Sequence, residues 1–199
     1  MAIFRMAVVF ILLPVLVQAQ DGNGSAEAIA AGLPAAVVKR MQVSPDRAEE
    51  AVVMLIAGSG SGGSISADQI DTAVSLRLAD ARASVLARLL AADLDNDGTL
   101  GADELAALAS SSGARNRGWL AVAASRADRN RDGALDPGEL RQFAAAEAEQ
   151  DVPDREIAAM RGVMRFDTDG DERVTLAEYR AVMAAVADLP APEQEKTGG

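Results

Sequence analysis

The chain has 199 residues, with 30 acidic against 19 basic side chains, a net charge of −11, and neither Cys nor His. Nucleic acid and anionic membrane surfaces are therefore not expected as partners, and thiol chemistry, structural zinc, His-ligated haem and every Ser-His or Cys-His nucleophile are excluded. Hydrophobic residues make up 49% but aromatics only 3%, and the excess of Ala, Leu, Arg and Glu, all strong helix formers, predicts an all-α fold of thin, closely approaching helices.

The first element is a leader. Met1 to Gln20 reads MAIFRMAVVFILLPVLVQAQ, with one positive charge at Arg5, an apolar run from Met6 to Val17 and short residues before Ala19. This is the pattern of a signal peptide over 1–19. The alternative is an uncleaved anchor, for which the run, interrupted by Pro14, is short. Cleavage removes Arg5 and no acid, so the mature net charge becomes −12. A secreted or periplasmic destination is therefore expected, with no membrane span after cleavage. The ratio of 17 Arg to 2 Lys hints at a bacterial source of high GC content.

Residues 20–43 form an N-terminal segment with no assigned role. Ser44-Pro45-Asp46 then starts a helix that runs through Val52, Val53, Leu55 and Ile56. The stretch 58–69, GSGSGGSISADQ, reads by composition as a flexible Gly/Ser linker.

A repeat organises the chain from residue 93 onward. Residues 93–104 read DLDNDGTLGADE, 128–139 read DRNRDGALDPGE and 167–178 read DTDGDERVTLAE. Each has Asp at position 1, Asp or Asn at 3, Asp at 5, an aliphatic at 8 and Glu at 12. A hard cation of calcium's size takes six to eight oxygens, which alternate side chains of a tight loop can supply while the longer Glu closes the shell from the next helix. The candidate ligands are Asp93, Asp95, Asp97 and Glu104; Asp128, Asn130, Asp132, Asp136 and Glu139; and Asp167, Asp169, Asp171 and Glu178. Backbone carbonyls at position 7, of Thr99, Ala134 and Arg173, complete the sets. Fourteen of the 30 acids lie in these three loops, where they repel one another unless a cation sits among them.

Helices are expected to enter the loops over 80–92, 119–127 and 155–166, and to leave them from Glu104, Glu139 and Glu178 with apolar residues three and four further on. Asp136-x-x-Glu139 and Thr175-x-x-Glu178 form capping boxes, and Pro137 suits a first helical position.

Three such loops in register resemble the EF-hand family, over the loops and their flanking helices. Counting back 35 residues from Asp93 reaches Gly58, which places Gly63 at position 6, Ile65 at position 8 and a capping box at Ser66-x-x-Gln69. On that register, 58–69 is a fourth loop that has lost its carboxylates. The resemblance implies a short antiparallel contact at position 8, pairing Ile65 with Leu100 and Leu135 with Val174. It also implies a calmodulin-like arrangement of two pairs, 44–110 and 119–187, joined by a linker at 111–118. The Pro- and charge-containing tail 188–199, DLPAPEQEKTGG, reads as disordered. The linker's start, Ser110-Ser111-Ser112-Gly113, is either flexible or part of a longer broken helix. Position 6 of the last loop is Glu172 where the family has Gly, so a positive φ and weakened binding are expected there, unless Gly170 absorbs part of the turn.

Three calcium ions are therefore expected. The family contains buffers and sensors, and sensors open a Met-rich groove. Met160, Met164, Met183, Trp119, Phe143, Phe166 and Tyr179 fall in the second pair, so any groove for a helical peptide or protein partner is expected there. Each of these side chains also fits a core. The alternative function is a calcium-dependent interaction or adhesion module. Catalysis is not expected, because every dense carboxylate cluster is used as a cation shell.

Overall fold

A computed structural model describes residues 22–190; the leader and residues 191–199 of the tail lie outside the described residues. In chain order the elements are α1 (Gly22–Gly32), α2 (Ala35–Val43), α3 (Pro45–Ser59), β1 (Ser64–Ser66), α4 (Ala67–Leu90), α5 (Ala102–Ser111), α6 (Ala114–Ala127), α7 (Pro137–Asp151), α8 (Asp154–Gly162), a 3-10 turn (Val163–Phe166), β2 (Arg173–Thr175) and α9 (Leu176–Ala187). The all-α expectation holds, with two three-residue strands the exception. Local chemistry sets the boundaries. Pro45 and Pro137 open α3 and α7, where a missing N–H costs nothing. The boxes Ser66/Gln69, Asp136/Glu139 and Thr175/Glu178 cap α4, α7 and α9.

The order of pairing differs from the expected one. β1 runs antiparallel to β2, with Ile65 opposite Val174, and Leu100 and Leu135 exchange two N–H···O bonds of 3.0 Å. The first loop thus pairs with the last, and the middle two pair with each other; Ile65 does not meet Leu100, nor Leu135 Val174. The reason lies in α4, whose 24 residues run unbroken for about 36 Å. Loops 58–69 and 93–104 leave its opposite ends and cannot touch. Between loops 93–104 and 128–139, by contrast, the chain reverses at Ser112-Gly113 between α5 and α6. That serine-rich stretch is accordingly the turn inside one pair, and residues 114–118 of the expected linker are helical. From the second loop pair, α7 and α8 return along α4, interrupted at Val152-Pro153, where proline disfavours helix in the residue before it.

Two cores result from this nesting. At one end, Met41, Ile56, Ile65, Ile70, Val174 and Tyr179 belong to a cluster drawn from α2, α3, both strands, α4 and α9. At the other, Leu89, Leu100, Leu120, Leu135, Leu140 and Phe143 form a second. Burial of each large aliphatic contributes roughly 1.5–3 kcal/mol. Between them, Ala81, Ala148 and Val152 pack α4 on α7. The methionines and aromatics assigned to one pair are divided: Met160, Met164, Met183, Phe166 and Tyr179 join the first core, while Trp119 and Phe143 join the second. The grouping on which a second-pair groove rested is not formed.

The segment 20–43, read without a role, carries α1 and α2, which pack on α9. Gln42 Nε2 donates to the carbonyls of Val186 and Leu189 at 3.0 and 3.1 Å. It thereby ties the C-terminal end of α9, where carbonyls lack helical partners.

Candidate metal centres

Loops 93–104, 128–139 and 167–178 are wound by the same device, a short acidic or amide side chain that accepts from the amide two residues on. Asp95 Oδ1 accepts from Asp97 N and Asp97 Oδ1 from Thr99 N, at 3.2 and 2.7 Å. Asn130 and Asp132 repeat this at 2.9 Å each, and Asp169 and Asp171 at 3.1 and 2.7 Å. The Asp at position 1 reaches across to the amide of position 6, with Asp93, Asp128 and Asp167 Oδ2 accepting from Gly98, Gly133 and Glu172 at 3.1, 3.1 and 3.0 Å. The closing glutamate spans each loop, accepting at one oxygen from the amide of position 2 and at the other from that of position 9. The partners are Leu94 and Gly101 for Glu104, Arg129 and Asp136 for Glu139, and Thr168 and Thr175 for Glu178.

These bonds decide which oxygens converge. Asp93, Asp95 and Glu104 each offer a carboxylate oxygen within 4.8 Å of the others, and so do Asp167, Asp169 and Asp171. Buried Asp93 Oδ1 has no hydrogen-bond partner, a costly state for a carboxylate oxygen and one that a cation would relieve. This donor set, all hard oxygen, fits calcium.

The loops are not equal. Glu178 accepts from the Thr168 and Thr175 hydroxyls as well as from their amides, so its roughly four lone-pair sites are engaged, and it stands outside the Asp167 group. In 128–139, Asn130 Nδ2 donates to Asp132 Oδ2 at 2.9 Å and Asp136 Oδ1 caps α7 through the amides of Gly138 and Glu139. Three carboxylates do not gather there within 4.8 Å. Electrostatically, the amides of Gly101 and Leu94 hold the Glu104 carboxyl below its usual 4.5. Burial pushes Glu178 up, but the amides and hydroxyls of Thr175 and Thr168 outweigh it, and the result is a lowered value. Both are anionic at neutral pH.

The stretch 58–69 is built differently. Helix α3 continues through Ser59, and the chain then reverses in four residues, with Ser61 and Ser64 exchanging backbone bonds of 2.9 and 3.2 Å while Gly62 and Gly63 take φ of 62° and 81°. In place of carboxylates, this turn faces a guanidinium. Arg173, whose carbonyl was the expected ligand, sends its side chain across β2 and β1. Its Nε donates to Ser64 Oγ at 2.7 Å, and Nη2 lies 3.2–3.5 Å from the Ser61 carbonyl and hydroxyl, the Ser64 carbonyl and Gln69 Oε1. Sequence reasoning gave the position-7 side chain no part. The available signal was a long cation at a position where no particular side chain is required, opposite a loop with no carboxylate at its ligand positions.

Comparison with known proteins agrees with this geometry. The model of the family described as EF hand matches residues 87–109 and 125–144, the segments that carry the Leu100–Leu135 pair. These matches support an EF-hand family and, with the two carboxylate groups, calcium binding. Neither the curated proteins nor the solved structures contain a match. Among the described residues, no helix is long and apolar enough to cross a membrane.

Proposed function

We propose that the chain is an exported calcium-binding protein that holds three Ca2+ ions, one in each of the loops 93–104, 128–139 and 167–178. It acts as a constitutive buffer or calcium-stabilised module rather than as a transient sensor. The observation that carries this reading is that Asp93, Asp95 and Glu104 bring carboxylate oxygens within 4.8 Å of one another while Asp93 Oδ1 is buried without a hydrogen-bond partner. In this reading Asp97 and the Thr99 carbonyl join them, and the corresponding residues Asp128, Asn130, Asp132, Ala134 and Glu139, and Asp167, Asp169, Asp171, Arg173 and Glu178, serve the other loops. Loop 58–69 is a fourth hand of the same register that binds no ion. Export, supported by the leader pattern, favours constitutive binding, because extracellular modules work at high calcium with weak sites.

Calorimetric titration of the chain from residue 20 onward tests the census. Three ions are expected, with loop 128–139, which lacks a third gathered carboxylate, filled last. Uptake of no calcium would remove the reading, and uptake of four would show that 58–69 binds despite its composition.

A further inference from the structure

The guanidinium of Arg173 sits against neutral oxygens of loop 58–69, whose one carboxylate, Asp68, falls outside the ligand positions. Its five acceptor contacts come from Ser61, Ser64 and Gln69, which occupy positions 4, 7 and 12 of the register. Positions 7, through its carbonyl, and 12, through its side chain, are two that serve a cation in the other loops. Gln69 is held in place by donating Nε2 to Ser61 Oγ at 3.0 Å and accepting from Ser66 N at 3.0 Å. Ser64 is buried, and its hydroxyl takes the shortest of the five bonds. None of the ion pairs among the described residues involves Arg173, so the direct partners of its guanidinium are neutral groups.

We infer that Arg173 is a positioning residue for loop 167–178: its guanidinium replaces, inside loop 58–69, the ion that this loop cannot bind. The strand pair Ser64–Ser66/Arg173–Thr175 is thereby closed from one side whether or not metal is present. Because Arg173 belongs to β2, the closure also fixes the backbone of loop 167–178 at the residue whose carbonyl serves the ion. Among the described residues the other pair has no such device: it is joined by the Leu100–Leu135 backbone bonds, with no side-chain clamp from its position-7 residues, Thr99 and Ala134. The affinity part of this inference rests on the proposed calcium function; the closure part does not.

The test uses the chain from residue 20 onward and two variants. Arg173→Lys keeps the charge and loses the planar fork, and Ser64→Ala keeps every charge and removes one acceptor. In chelator, hydrogen exchange followed by NMR should show the amides of 64–66 and 173–175 losing protection about tenfold in each variant, as expected for loss of a hydrogen bond to a charged group, with Leu100 and Leu135 unchanged. Unchanged protection in both variants, or an equal loss at Leu100 and Leu135, would overturn the inference. In a calcium titration read from the amide resonances of 167–178, both variants should bind about five- to tenfold more weakly at that loop and unaltered at 93–104. Unaltered binding at 167–178 would refute the positioning role. A wild-type chain that takes up no calcium would instead defeat the functional reading, while the exchange result would still decide the closure.

Discussion

Glu172 has a backbone that suits glycine, at φ 64°, as the missing Gly at position 6 led one to expect. A non-Gly residue there costs roughly 1–2 kcal/mol. The strain does not single out its loop, however. Positions 4 and 6 are both left-handed in all three loops, as Asn96 and Gly98, Arg131 and Gly133, Gly170 and Glu172, so 167–178 has exchanged the two residues rather than added a defect. Asn tolerates this region better than Arg or Glu. Glu172→Gly and Arg131→Gly should therefore each tighten their own loop by about 1 kcal/mol and Asn96→Gly by less; equal effects of all three on site-resolved calcium titration would refute this ranking. Tyr179 gives a prediction free of metal. Its ring is buried edge-on to Phe166, and burial, aided by the charge of Glu49, pushes the phenol up to about 12 from 10.0. Because the folded value is raised, this contribution to stability is present below pH 10 and lost as pH rises toward 12. The chain has one tyrosine, so phenolate absorbance reports it directly. Ionisation with a midpoint near 10 in a chain still folded by circular dichroism would contradict the buried placement.

Individual elements show why some of the fold could be read and some could not. The ligand spacing, the capping boxes and the flanking helices were legible because each is a local pattern. The pairing was not, because the four position-8 residues, Ile65, Leu100, Leu135 and Val174, are all aliphatic and interchangeable as partners. The deciding signal is the absence of a break between Ile70 and Leu90, set against Ser112-Gly113 further on. Helices α1 and α2 were missed because their cover on α9 is a long-range contact with no local signature. The Gly/Ser run shows how a composition can mislead. A Cβ on Gly60 would lie 2.4 Å from the Ser64 carbonyl oxygen and 2.5 Å from that of Ile56, whereas one on Gly58 meets nothing within 4 Å. Gly60→Ala is thus expected to break the α3–β1 turn and destabilise, while Gly58→Ala, inside α3, should stabilise by roughly 0.5–1 kcal/mol. Urea unfolding of the two variants separates a built turn from a linker, for which both changes would be neutral.

For the whole molecule, ion binding is an electrostatic event. Three divalent ions would take the net charge from −11 to −5, and the relief falls on the folded state, which alone gathers the carboxylates. A thermal melt should move upward with calcium and fall back with chelator, and a melting temperature indifferent to both would count against filled loops. The nested pairing also sets an order of events during synthesis. The Leu100–Leu135 contact closes over 35 residues, whereas Ser64 and Arg173 are 109 apart, a difference worth about 1 kcal/mol in loop closure alone. The inner pair can therefore form on a chain still emerging, while Ile65 and Ile70 stay uncovered until the final motif arrives. A chain stopped before residue 167 should keep a folded centre and expose an apolar face at its beginning, which makes the carboxyl-terminal motif the clasp of the amino-terminal one.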